Sequence, residues 1–73
     1  MFNMNKCKKG DKLLSVHGTV LEYIGINERY EPYRHVVKYP NGSLGSRTDS
    51  GEVFVRNKMD TDEDILGFYK DKN

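Results

Sequence analysis

The residues from Gly10 to Gly42 constrain the fold of this chain most, because they set three β-type runs and two turn signals in a fixed order. Gly10-Asp11 is a turn signal. Pro40-Asn41-Gly42 is a stronger one, since Asn-Gly takes the positive φ angles of a tight hairpin and Pro presets the entry. Between the turns lie three short runs rich in β-branched, aliphatic and aromatic residues: 12–16, 19–24 and 34–39. This pattern predicts an all-β domain.

The second and third runs also predict which side chains face the core. Alternation along the third run places His35, Val37 and Tyr39 on one face, and we expect the Val37 and Tyr39 face to lie inside. The second run does not alternate cleanly, because its apolar residues cannot all point to one side. This irregularity predicts a bulged or strongly bent strand with both faces partly covered.

The rest of the chain predicts two more strands and a different kind of tail. Residues 43–48 form a weak fourth strand, and residues 52–57 form a fifth with alternating apolar side chains. In the tail, Thr61 and Asp64 have the spacing of a helix capping box, which predicts one or two helical turns. A short extended segment is the alternative. We predict one domain over residues 1–73, with an arm at 1–9, a five-stranded β-barrel at 10–58 and an acidic, aromatic segment at 59–73.

Composition excludes several classes of protein. The chain has 12 Lys and Arg against 11 Asp and Glu, a net charge of +1, so no strong overall field demands a polyanionic partner. A single cysteine, Cys7, cannot form an internal disulfide, and no Cys-His pairing offers a zinc framework. No apolar stretch is long enough for a signal peptide or a membrane span. We therefore expect a cytoplasmic protein without a metal, a cofactor or a membrane partner.

Gly10-Asp11, the apolar strand that follows it, and Gly18-Thr19-Val20 with Ile24 resemble the KOW type of Src-homology-3-like (SH3-like) barrel. That family occurs in ribosomal proteins and transcription-elongation factors, so the resemblance implies contact with RNA or with an RNA-bound protein machine. The segments GDKL, HGTV, VVKYPNG and TDSG are also similar to those of small uncharacterised barrel proteins of bacteriophages, a resemblance that implies an accessory protein acting in the host cytoplasm. The resemblance covers roughly residues 10–51. The loop before Gly18 is shorter than in the family.

No set of residues predicts catalysis. The chain has one Cys, two His and no serine in a nucleophile-elbow pattern, so we expect no catalytic residues and an inert Cys7 thiol. Four aspartates match positions 1, 3, 5 and 12 of a calcium loop: Asp60, Asp62, Asp64 and Asp71. Ile65 stands where that loop requires Gly, so a helix start is the better interpretation, and we expect no metal site.

Basic and aromatic residues give the best hint of function. Five of the candidates surround one loop, and the hypothesis is that four more basic residues join them on a shared exposed face. The candidate partner-binding residues are Lys8, Lys9, Arg29, Tyr30, Tyr33, Arg34, Lys38, Arg47 and Arg56. The leading hypothesis is a non-catalytic module that docks on a protein machine through the loop from Tyr30 to Arg34 and the neighbouring strand faces. The first alternative is KOW-like binding of RNA or single-stranded DNA, in which cations meet phosphates and tyrosines stack on bases. The second is self-assembly of a homo-oligomer through edge strands such as 43–48.

Overall fold

The computed structural model describes residues 2–53 and 64–70, which form one antiparallel sheet. Its strands, in the sheet order β4-β3-β2-β1-β5, are β1 (Lys12–Ser15), β2 (Val20–Ile26), β3 (His35–Lys38), β4 (Leu44–Arg47) and β5 (Ile65–Phe68). The helical structure in these residues consists of two 3-10 turns, Met4–Lys6 and Glu28–Tyr30. The predicted all-β class with five strands is therefore confirmed. None of the described helical segments is long and apolar enough to cross a membrane.

The first four strands follow the predicted order. The turn between β1 and β2 is closed by the Gly18 amide, which donates to the Ser15 carbonyl over 3.0 Å. The turn between β3 and β4 falls at the predicted Asn-Gly, where the Gly42 amide donates to the Tyr39 carbonyl over 2.9 Å. Gly42 takes a φ of 91°, whereas Asn41 does not adopt a positive φ. The hairpin is thus in the predicted place. Its two central residues, Pro40 and Asn41, do not adopt a positive φ, and the left-handed conformation falls on Gly42, the residue that follows them.

The predicted irregularity of the second strand is a β-bulge. Pairing of β2 with β3 shifts register between Tyr23, which opposes Val37, and Gly25, which opposes Val36. A bulge increases local twist and bends the strand. Here it precedes the last residue of β2, Ile26, which lies opposite His35.

The fifth strand lies elsewhere than predicted. β5 belongs to the tail and pairs with β1, with Phe68 opposite Leu13 and Ile65 opposite Ser15 across a register shift. The extended alternative for the tail is therefore correct for residues 65–68, and the helical alternative is wrong there. Of the predicted strand 52–57, Glu52 and Val53 lie outside any strand, and residues 54–57 lie outside the described residues, as does Thr61.

A tight turn after β4 explains this difference. The Gly51 amide donates to the Thr48 carbonyl over 2.9 Å, and the Gly51 carbonyl accepts from the Ile65 amide over 2.8 Å. The turn thus carries the chain from one edge of the sheet toward β5 at the other. No ladder of strand pairs joins β4 to β5 in residues 2–53 and 64–70, so the sheet described here is open.

The core lies on the inner face of the sheet. Leu13, Leu21 and Val37 are fully buried there, and the predicted inward face of β3 is confirmed. The N-terminal arm contributes Met4, which is also fully buried, and its amide donates to the Asp49 carbonyl over 2.7 Å. The arm is therefore part of the core, although its irregular sequence did not predict this.

Candidate functional site

The loop between β2 and β3, residues 27–34, is closed by backbone hydrogen bonds. At its base the Asn27 amide donates to the Arg34 carbonyl over 2.7 Å, and at its far side the Tyr33 amide donates to the Tyr30 carbonyl over 2.7 Å. The Asn27 side chain accepts from the Arg29 amide over 3.1 Å and caps the 3-10 turn inside the loop. Asn, Asp and Ser side chains stabilise turns in this way. The loop is therefore a compact unit with its own hydrogen bonds.

Arg34 fastens this loop to two other segments. Its Nε donates to Asp49 Oδ1 over 2.8 Å, and one of its terminal nitrogens donates to Asn5 Oδ1 over 3.0 Å. A third contact joins it to Glu28 Oε1 at 3.6 Å. Asp49 lies in the turn after β4 and Asn5 in the N-terminal arm. One guanidinium group thus joins the loop, the turn and the arm.

An open groove lies where the three segments meet. Its volume is about 690 Å³, and its lining residues are Phe2, Asn3, Glu31, Pro32, Arg34, Thr48, Asp49, Ser50 and Glu52. The walls combine an aromatic ring and a proline with carboxylates. Tyr30, on the loop that forms one wall, is 54% exposed, whereas Tyr33 is half-buried. The loop therefore presents one tyrosine to solvent beside the groove.

A buried polar chain of hydrogen-bonded side chains connects the loop to the interior of the sheet. The Tyr23 hydroxyl lies 2.7 Å from His35 Nδ1, and His35 Nε2 lies 2.8 Å from Asp49 Oδ1. Because the carboxylate only accepts, Nε2–H donates to it. In the tautomer that carries its hydrogen on Nε2, Nδ1 accepts from the phenol. His35 is fully buried and Tyr23 is 3% exposed. Asp49 thus bonds both His35 inside and Arg34 outside.

The electrostatics of the polar chain formed by Tyr23, His35 and Asp49 favour a structural role for these side chains. Hydrogen bonds from Arg34 and then from His35 hold the pKa of Asp49 below its usual range, so the carboxylate stays charged at neutral pH. Burial raises the pKa of the Tyr23 phenol, which therefore stays protonated. A protonated, buried phenol is a poor nucleophile, and its hydrogen bond to the imidazole satisfies a polar group inside the core.

The single thiol has the chemistry expected of an inert cysteine. Burial, and secondarily the Asp11 carboxylate, raise the pKa of Cys7 to about 11. The thiolate is the reactive form of cysteine, so the thiol of Cys7 is unreactive at neutral pH. The side chain packs against the core cluster as a small apolar group.

Arg47, one of the predicted partner-binding cations, lies in the interior. It is 2% exposed, and its guanidinium donates to the Tyr39 hydroxyl over 2.6 Å and to the Ser46 carbonyl over 2.9 Å. Gly45 makes this possible, because a Cβ there would stand 2.9 Å from the Tyr39 ring and 3.1 Å from Arg47. Arg47 therefore does not join the exposed basic surface that the sequence predicted.

Of the other predicted site residues, four lie together on one loop and the rest lie elsewhere. Arg29, Tyr30, Tyr33 and Arg34 are brought together on the loop at 27–34. Lys38 is exposed on β3, roughly 13 Å along the strand from Arg34 at the rise of an extended chain. Lys8 and Lys9 are exposed in the turn before β1, and Arg56 lies outside the described residues. The shared basic face predicted for all nine residues is thus not formed by the eight that the structure describes.

Sequence reasoning missed three members of the polar chain and its surroundings. Alternation with Val37 places His35 on the inner face of the third predicted strand, but the sequence does not indicate its hydrogen bonds to Tyr23 and Asp49. Asp49 lies between the fourth and fifth predicted strands, and Met4 lies in the arm predicted at 1–9. The strand alternation was a usable signal for His35. The contacts of Asp49 and Met4 join distant segments and leave no local pattern.

No group of three His, Cys, Asp or Glu residues that could hold a metal ion occurs in the described part of the chain. Comparison of the chain with protein-family models, with curated proteins and with solved structures finds no match. The loop, the groove and the polar chain are therefore the features of the molecule that bear on its function.

Proposed function

We propose that this protein is a non-catalytic binding module that docks on a protein partner through the loop at 27–34 and the adjoining groove. The observation that carries the proposal is the exposed Tyr30 on a loop that Arg34 fastens to the turn and the arm. Tyrosine is enriched among residues that dominate protein–protein binding energy. A loop already ordered before binding loses less conformational entropy on association.

The charges beside Tyr30 favour a protein partner over a nucleic acid. Arg34 is neutralised by Asp49 and faces Glu28 as well, and Arg47 lies inside the fold. Glu31 and Glu52 line the groove, and both would repel phosphate. Nucleic-acid binding needs cations that are available to neutralise phosphates. KOW-like binding of RNA or single-stranded DNA is accordingly the second proposal.

Capture of partners with matched tyrosine variants tests the proposal. Immobilised wild-type protein, Tyr30→Ala and Tyr69→Ala are exposed to cell lysate with and without nuclease treatment, and bound proteins are quantified. Tyr69 is 40% exposed, follows the edge strand β5 and does not line the groove, so it is the control. We expect a protein retained by the wild type and by Tyr69→Ala but depleted at least several-fold by Tyr30→Ala. Equal capture by both variants, or capture abolished by nuclease, contradicts the proposal.

A further inference from the structure

The outer face of the sheet is unusually apolar for a surface opposite the core. Strand alternation directs five apolar side chains outward: Leu14, Val20, Ile24, Val36 and Leu44. Leu44 is 63% exposed and the other four are half-buried. In a small antiparallel sheet the face away from the core is ordinarily polar. A face of this composition is typical of an interaction surface.

A row of alternating charges crosses the middle of this face. Lys12 on β1 pairs with Glu22 on β2, and Glu22 pairs with Lys38 on β3. The Lys12 ammonium and the Glu22 carboxylate are 3.5 Å apart. The apolar pair Leu14 and Val20 lies on one side of the row, and Ile24 with Val36 lies on the other.

The Glu22 and Lys38 part of this row is complementary to itself. Consider a second copy placed face to face about a two-fold axis that runs parallel to the strands, between β2 and β3. The axis exchanges the two strands, so Lys38 of one copy lies opposite Glu22 of the other, and the reverse pair forms by symmetry. The same operation sets Val36 against Ile24 of the second copy. Aligned sheets pack about 10 Å apart with small crossing angles, which suits such an arrangement.

From this self-complementarity we propose that the outer sheet face binds a second copy of the chain and forms a symmetric homodimer. A depression of about 390 Å³ lies over the charged row and is lined in part by Lys12, Glu22 and Lys38. It gives the side chains of the second copy room beside the row. This interface uses the face of the sheet and leaves the loop at 27–34 free, so it is independent of the proposed docking function.

Charge exchange within the row tests the dimer. Sedimentation velocity over a range of micromolar concentrations is measured for four proteins: wild type, Glu22→Lys, the triple variant Lys12→Glu/Glu22→Lys/Lys38→Glu, and Glu31→Lys. Glu22→Lys makes the row uniformly positive, whereas the triple variant inverts every charge and restores the alternation. Glu31→Lys makes the same change in net charge on the loop, away from the face. Circular dichroism establishes that each variant is folded.

We expect a dimer for the wild type, for the triple variant and for Glu31→Lys. For Glu22→Lys we expect a dissociation constant roughly tenfold or more higher, because like charges would face each other across the interface. A wild-type monomer at every concentration overturns the proposal. So does a folded triple variant that is no more dimeric than Glu22→Lys, since its row is as complementary as that of the wild type.

Discussion

His35 Nε2 lies 2.8 Å from Asp49 Oδ1, and this hydrogen bond joins the buried interior of the sheet to the turn that anchors the candidate docking loop. The same carboxylate oxygen accepts from Arg34 Nε over 2.8 Å. A core histidine and a loop arginine therefore share one acceptor. The order of the loop consequently depends on the interior packing of β3 as well as on its own hydrogen bonds.

Replacing His35 by Leu tests the buried end of this arrangement. The substitution leaves the Tyr23 hydroxyl without its acceptor in the core, which we expect to cost about 1–3 kcal/mol of unfolding free energy. Tyr23→Phe removes the hydroxyl, so the double variant should be less destabilised than the sum of the two single variants. Urea denaturation of the four proteins gives this coupling energy. Strict additivity would show that the phenol and the imidazole do not interact.

The acid dependence of stability should report on Asp49. Its pKa is lowered in the folded state, so at pH values between the folded and unfolded pKa the unfolded chain binds more protons. The stabilisation is therefore present above the unfolded value of about 3.9 and is lost as the pH falls through the folded pKa. We expect Asp49→Asn to flatten the acid limb of a plot of unfolding free energy against pH.

Glu22→Gln is the control for that titration, because it removes a carboxylate outside the polar chain. Urea denaturation is repeated at intervals from pH 3 to pH 7, a range chosen roughly to bracket the carboxylate titration. If Asp49→Asn and Glu22→Gln change the acid limb equally, the ion pair with Arg34 does not contribute to stability in the way described here.

Gly51→Ala should destabilise the fold through two separate effects. Gly51 has a φ of 83°, which costs an L-residue about 1–2 kcal/mol, and an added Cβ would stand 2.9 Å from the Ile65 Cβ. We expect the contact to add roughly 1–3 kcal/mol, the usual cost of overpacking. Gly42→Ala is a matched control, since its φ of 91° carries the same strain with no atom within 4 Å. Equal thermal midpoints for the two variants would mean that Gly51 does not contact β5.

Nucleic-acid binding should be weak, and it should strengthen when Arg34 is released from its ion pair with Asp49. In fluorescence anisotropy with single-stranded RNA, single-stranded DNA and duplex DNA, we expect no dissociation constant tighter than about 10⁻⁴ M at moderate salt, the weak end for non-specific binding. At low salt, Asp49→Asn should bind better than Glu22→Gln, although both remove one negative charge. Tight, salt-sensitive binding by the wild type would favour the KOW-like proposal.

Local patterns predicted four of the five strands, because turn residues and alternation act over a few positions. They did not predict that Ile65–Phe68 pairs with Lys12–Ser15, since that pairing depends on contacts between distant segments. Residues 52–57 have stronger β-forming side chains than the tail, yet Glu52 and Val53, the two of them that the structure describes, follow the turn at Gly51 and lie outside any strand. In the candidate site, the loop tyrosine was recognisable, whereas burial of Arg47 depends on the space left by Gly45 and on the hydroxyl of Tyr39.

Site-specific photo-crosslinking at position 30 tests the docking proposal most directly. A photoreactive phenylalanine analogue replaces Tyr30 in one protein and Tyr69 in the control, and adducts formed in living cells that express the protein are identified by mass spectrometry. The account predicts a protein adduct from position 30 that resists nuclease and is absent from position 69. Adducts to nucleic acid at position 30, or the same protein adduct from both positions, would contradict it.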